Sequence, residues 1–144
     1  MNKRTQLRGM ATVSYWAKDV EAAKRWYTEL LGTAPYFERP EKGPPQYVEF
    51  RIGDQQAELG LIDAQFAPKG TAKGKGPGGA VLYWHVDDVK ATFERLIALG
   101  AEEYEPITPR EEGFVTASVV DPFGNVLGIM YNPHYLKVLG GGKD

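Results

Sequence analysis

The sequence predicts an α+β domain built from two tandem strand–helix–strand–strand–strand modules that fuse into one curved, partly open mixed sheet. Two observations carry this. The chain repeats itself, with Asp19-Val20 returning as Asp88-Val89 and the glycine after the first helix, Gly32, returning as Gly100. Each copy places a β-rich run before one amphipathic helix and further β-rich runs after it. Two copies cannot stack into a solenoid, which needs at least three. Fusing two sheets leaves the helices on the outer face and frees the inner face to form a cavity.

The elements follow in order. Ala11–Trp16 is the first strand. Asp19 then caps a helix over 20–31, because its carboxylate accepts a first-turn N–H that has no partner within the helix. Gly32 suits the left-handed position that ends it. Val20, Ala23, Tyr27 and Leu30 form one apolar stripe. A short extended piece, 35–39, leads into a loop from Pro40 to Gln46 that holds three prolines. The strands Tyr47–Ile52 and Ala57–Ile62 complete module one. The second copy runs through Ala80–Val86, a helix over 89–99 with the stripe Val89, Phe93, Leu96 and Leu99, then Glu102–Ile107, Phe114–Val120 and Asn125–Tyr131. Leu59-Gly60-Leu61-Ile62 is echoed by Leu127-Gly128-Ile129-Met130. Module one spans about 8–63, a linker rich in Gly, Lys and Pro about 64–78, module two about 79–132, and a tail 133–144 that frays from Leu139. All of it is one domain, 1–144.

Composition narrows the function. The 144 residues are 42% hydrophobic and 25% charged, the balance of a globular chain. The net charge of −2 offers no basic footprint for nucleic acid. No run reaches the roughly 18 apolar residues of a membrane span. The start is polar and basic with no apolar core after it, unlike a signal peptide, so a cytoplasmic protein is expected. With no cysteine there is no disulfide, thiolate metal site or thiol nucleophile. Gly74-Lys75-Gly76 is not a phosphate loop: no hydroxyl follows the lysine, and a strand rather than a helix comes next.

Strand alternation sorts the faces. Ala57, Leu59 and Leu61 belong under the helix, which turns Glu58, Gly60 and Ile62 to the cavity. The same rule brings Thr12, Ser14 and Trp16 to that face, with Tyr47, Glu49 and Arg51. Val81, Tyr83 and His85 follow from the fifth strand, and Thr116, Ser118, Gly128 and Met130 from the last two. Hydroxyls, aromatics and a few charges on one face suit a small-molecule site, and Trp16 and Tyr83 are the natural stacking groups. The competing reading is a filled barrel or dimer seam with Glu49 and Arg51 merely solvated.

The turn Asp121-Pro122-Phe123-Gly124-Asn125, followed by Val-Leu-Gly-Ile-Met, closely resembles the Asp-Pro-x-Gly ending of the vicinal oxygen chelate superfamily: the glyoxalases, bleomycin-resistance proteins and extradiol dioxygenases. Asp19-Val-Glu-Ala-Ala-Lys-Arg-Trp-Tyr-Thr-Glu-Leu-Leu-Gly resembles its first helix, and the resemblance covers roughly 8–132. It implies a glyoxalase-like fold, a homodimer and, in the enzymes, one divalent metal held by four His, Gln or Glu side chains. Carried across, those positions are Thr12, Glu58, Val81 and Gly128. Only Glu58 can serve, since valine and glycine cannot ligate and threonine ligates such ions poorly. A one-residue slip would turn each strand's side chains to the other face. A site of Glu58 with His85 is the remaining metal arrangement, while His134 reads as a surface residue.

The leading expectation is therefore a metal-free, cofactor-free small-molecule-binding protein like the bleomycin-resistance branch. Its ligand would contact Thr12, Ser14, Trp16, Tyr47, Arg51, Glu58, Tyr83, His85 and Met130. One alternative is a glyoxalase-type lyase, isomerase or dioxygenase with a non-standard or absent metal site, in which Glu58 is the only catalytic candidate. The other is a ligand-free self-association module.

Overall fold

The computed structural model describes residues 7–67 and 80–141. Most of the expected linker, the whole Gly-Lys segment at 74–79 and the end of the tail lie outside the described residues. The chain divides into two compact units, Met1–Ala67 and Pro68–Asp144.

Unit one contains β1 (Thr12–Ala17), α1 (Val20–Leu31), β2 (Phe37–Arg39), β3 (Tyr47–Ile52) and β4 (Ala57–Asp63). Its four strands form a mixed sheet in the order β1-β4-β3-β2, with β1 parallel to β4 and the other pairs antiparallel. The helix ends follow the capping chemistry. Asp19 Oδ1 accepts from the Ala22 amide at 3.0 Å, and Gly32 takes φ 69° while its N–H returns to the Thr28 carbonyl at 2.9 Å. Val20, Ala23 and Tyr27 of α1 are buried, as are Tyr15, Ala17, Val48, Phe50, Leu59 and Leu61 of the strands. Those six strand residues share one face by alternation, so the helix side of this sheet is as expected. Burying each large side chain there contributes about 1.5–3 kcal/mol.

Unit two repeats the design with β5 (Tyr83–His85), α2 (Val89–Ala98), β6 (Glu102–Pro109), β7 (Val115–Val120) and β8 (Val126–Tyr131), then adds α3 (Pro133–Leu139). The sheet order β5-β8-β7-β6 matches that of unit one. Asp88 Oδ1 caps α2 through the Ala91 amide at 2.9 Å. Val89, Leu96, Ala117, Val119, Leu127 and Ile129 are buried between helix and sheet. Both modules are therefore α+β with an open mixed sheet, in agreement with the predicted fold class.

Three local differences from the sequence reading stand out. The fifth strand covers only 83–85 of the expected 80–86, which leaves Val81 before the strand. The expected piece 102–107 extends to Pro109. The tail contains a helix, α3: Asn132 caps it by accepting from the Tyr135 amide at 3.0 Å, and Pro133 fills the first position, where its missing N–H costs nothing. Among the described residues no helix is long and apolar enough to cross a membrane.

Candidate functional site

Module one's open face is ordered by strand register into three rows. Thr12, Glu58 and Arg51 form the first, Ser14, Gly60, Glu49 and Phe37 the second, and Trp16, Ile62, Tyr47 and Arg39 the third. In the first row the Thr12 hydroxyl donates to Glu58 Oε2 at 2.9 Å, and Arg51 Nη2 lies 3.2 Å from Glu58 Oε1. Arg51 also stacks its guanidinium 4.8 Å from the Tyr36 ring centre. Both oxygens of Glu58 thus have partners.

In the second row Gly60 makes room for a neighbour. Tyr47 leans across it, so that a Cβ added at Gly60 would stand 3.4 Å from the Tyr47 oxygen. From there the Tyr47 hydroxyl donates to Glu49 Oε1 in a short contact. Phe37 supports the Tyr47 ring edge-on at 5.9 Å. Burial, then the charge of Glu58, pushes the Glu49 carboxyl above the usual carboxylate range, and Arg51 opposes the shift. The same two causes in the same order push the Tyr47 phenol up. Trp16 is half-buried and Ser14 exposed.

Module two's face is more closed. Its corresponding rows are Tyr83, Gly128, Ser118 and Glu105, then His85, Met130, Thr116 and Thr108. Glu105 Oε1 accepts from the Tyr83 hydroxyl at 2.8 Å and from fully buried Ser118 at 2.9 Å. These two hydroxyls, first Tyr83 and then Ser118, hold the Glu105 carboxyl below its usual range; burial opposes them and Arg110 assists. Burial, then the bond to Glu105 and its charge, raises the Tyr83 phenol, while Arg110 lowers it. Arg110 Nε donates to Thr116 at 3.1 Å beside a shallow recess lined by Pro109, Arg110 and Phe114. Gly128 is crowded: a Cβ there would meet the Leu82 carbonyl oxygen at 2.6 Å and Tyr83 Cδ1 at 2.8 Å.

His85 occupies the far row. Its Nδ1 accepts from the Asn132 amide at 3.0 Å, and its Nε2 faces Asp87 at 3.3 Å. The imidazole stacks on Tyr135 of α3 at 4.9 Å and lies 5.4 Å from Tyr131. Met130, next to it, receives a contact from the Asn132 amide group at 3.7 Å to sulfur. His134 is exposed, with its ring set edge-on to Phe114.

Of the expected ligand-contacting residues, module one brings together Thr12, Ser14, Trp16, Tyr47, Arg51 and Glu58 on one sheet face. Module two does the same for Tyr83, His85 and Met130. Three further polar groups are engaged, Glu49 on the face of module one and Glu105 and Arg110 in module two. Glu49 lay on the expected face without an assigned role. Glu105 and Arg110 were not on it at all: β6 shifts register on both sides of Glu105, where alternation cannot be counted, and Arg110 follows the end of the strand.

The family's metal ligands can now be tested against these positions. Gly128 has no space for a carboxylate, Val81 precedes its strand, and Glu58 is bonded to Thr12 and paired with Arg51. Register also makes Gly60, rather than Glu58, the repeat counterpart of Gly128, since each pairs with the middle of its row. Among the described residues no three His, Asp or Glu side chains cluster closely enough to hold a metal ion. These residues do not fit a divalent cation.

Several solved structures share the fold. A glyoxalase-related enzyme from Fulvimarina pelagi is 27% identical, with a TM-score of 0.68 over 88% of this chain and 90% of that one. TioX from a Micromonospora species is 18% identical, with a TM-score of 0.65 over 85% of this chain and 98% of that one. A lactoylglutathione lyase from Agrobacterium tumefaciens is 23% identical, with a TM-score of 0.62 over 90% and 98%. No curated protein matches the chain. The family model for the glyoxalase/bleomycin resistance protein/dioxygenase superfamily matches residues 9–129, and with the repeated module and its sheet order this chain belongs to that superfamily.

Proposed function

We propose that this protein binds a small organic molecule on the open face of module one and does so without a divalent metal. The observation that carries this is the engagement of Glu58. A guanidinium, Arg51, supplies the positive charge that a metal would bring, and Thr12 occupies the second carboxylate oxygen. The ligand is flat and bears a cationic or hydrogen-bond-donating group. Glu49 and Glu58 outnumber Arg51 in charge, and Trp16 offers a stacking surface beside them.

Two measurements test the reading. After incubation with nickel, iron, manganese and zinc, elemental mass spectrometry of the repurified protein should find no stoichiometric metal. Flat organic cations should quench tryptophan emission in the wild type and lose most of that effect in Trp16→Phe. Stoichiometric metal that Glu58→Gln removes would overturn the metal-free reading. A panel of such compounds with no effect on emission would overturn the binding reading.

A second reading, metal-independent proton transfer, is favoured by the Tyr47–Glu49 contact. A carboxyl pushed above its usual range and bonded to a phenol is a candidate for exchanging a proton with a bound ligand. Glu49→Gln would then abolish turnover and leave ligand binding intact. Family precedent extends to a homodimer, for which sedimentation should report twice the chain mass of 16.0 kDa.

A further inference from the structure

We propose that Arg110 and Glu105 form a second ligand subsite, on the face of module two, for the head group of an amino-acid-like zwitterion. Both charges are held in place by the sheet rather than by each other. Arg110 Nε donates to the Thr116 hydroxyl at 3.1 Å. Glu105 Oε1 accepts from the Ser118 hydroxyl at 2.9 Å and from the Tyr83 hydroxyl at 2.8 Å. Thr116 and Ser118 are alternate residues of β7 and share a face, so the two anchors stand roughly 7 Å apart. The Arg110 charge acts across that gap, since it helps to hold Glu105 ionised. Yet among the described residues neither side chain forms an ion pair. A hydrogen bond to a charged group is stronger than an exposed ion pair, so each hydroxyl keeps its own charge.

Each group therefore keeps unused bonding capacity. A guanidinium carries five N–H donors, and only Nε of Arg110 is taken. Its two terminal amino groups form the end of a planar fork that a carboxylate can meet with both oxygens. On Glu105 the two hydroxyls converge on Oε1, which closes the middle row and leaves Oε2 with no partner among the described residues. An α-amino acid carries an ammonium and a carboxylate on one carbon, which suits it to bridge the two. Its side chain would lie over the recess beside Arg110, where Pro109 and Phe114 supply apolar surface.

Charge balance separates a zwitterion from a simple anion. Glu111 and Glu112 line the same recess and are exposed. With Glu105 they outnumber the Arg110 charge, which disfavours phosphate or a lone carboxylate and favours a ligand that brings its own positive charge. The subsite is separate from the one proposed on module one and does not depend on it.

Amide resonances of the isotope-labelled full chain test this, with L-phenylalanine as the probe. The Arg110, Thr116 and Ser118 amides should shift and saturate. Phenethylamine lacks the carboxylate and hydrocinnamate lacks the ammonium, so each should bind there roughly tenfold more weakly or worse. Arg110→Gln, at an exposed position, should weaken phenylalanine by a similar factor, towards the affinity of phenethylamine. Glu105→Gln should weaken it towards that of hydrocinnamate. The two analogues and Arg110→Gln need no change at Glu105, whose substitution also costs stability. All the signals come from module two, so failure of the Trp16 emission test would leave them standing. Either analogue binding as tightly as phenylalanine would overturn the proposal. So would phenylalanine shifts that survive Arg110→Gln, or no shifts at all.

Discussion

Across the middle of module one's face run Ser14, Gly60, Glu49 and Phe37; across module two's run Tyr83, Gly128, Ser118 and Glu105. Each row has a glycine and a glutamate, and a tyrosine covers the glycine and reaches the glutamate: Tyr83 from within its own row, Tyr47 from the neighbouring one. The glutamate stands one strand farther out in module two, and this single shift changes its chemistry. Burial, and then the nearby carboxylate of Glu58, push Glu49 towards the protonated form. Glu105 receives two hydroxyls and lies near Arg110, so it is held ionised. The first arrangement leaves a carboxyl ready to exchange a proton or meet a cation. The second is a satisfied network that closes its own face. A shared fold therefore does not give the two halves equal roles.

The difference can be broken most strongly at the glycines. Gly128→Ala drives a Cβ into a backbone oxygen that cannot swing aside, and should cost about 1–3 kcal/mol in urea denaturation. Gly60→Ala meets only the end of a tyrosine and should change stability by less than about 1 kcal/mol. Equal losses at both sites would remove the asymmetry. Next comes Ser118→Ala, which deletes a fully buried donor to an ionised carboxylate and should cost about 1–2 kcal/mol in the same assay.

The two glutamates should give opposite slopes of stability against pH. Glu105, lowered in the folded state, contributes stability above the ordinary carboxylate range, and that contribution is lost as pH falls. Glu49, raised in the folded state, contributes most at acid pH, and that contribution is lost as pH rises through its folded value. Glu105→Gln should thus lower the urea midpoint at pH 7, with the deficit shrinking on acidification. Glu49→Gln should raise the midpoint at pH 7 and have little effect in acid. Parallel curves would show that the shift of one strand does not matter. The smallest effect is expected at the surface: Thr12→Val should cost below about 1 kcal/mol, because solvent already competes for that exposed bond.

Most of the architecture was legible in the letters. Asp19 and Asp88 mark helix starts because a cap is a local rule, and Leu59 and Leu61 mark the helix side because alternation has a period of two. What failed was whatever depends on a partner distant in sequence. The tail read as a fraying end, yet it holds α3, whose Tyr135 stacks on His85, although Asn132-Pro133 is itself a helix-start signal. Glu105 was hidden by the irregular register of β6. Arg51 and Glu58 read as separate charges, and only the strand pairing makes them one group.

The two glycine-covering tyrosines break the internal repeat. In register, Tyr83 corresponds to Ser14 and Tyr47 corresponds to Thr116, so neither tyrosine is the copy of the other. The glycine stands at the same register position in both halves, but the ring over it comes from β5 in one half and from β3 in the other. Each half found its own way to cover the same gap, and the place each glutamate now occupies follows from which neighbour supplied the ring.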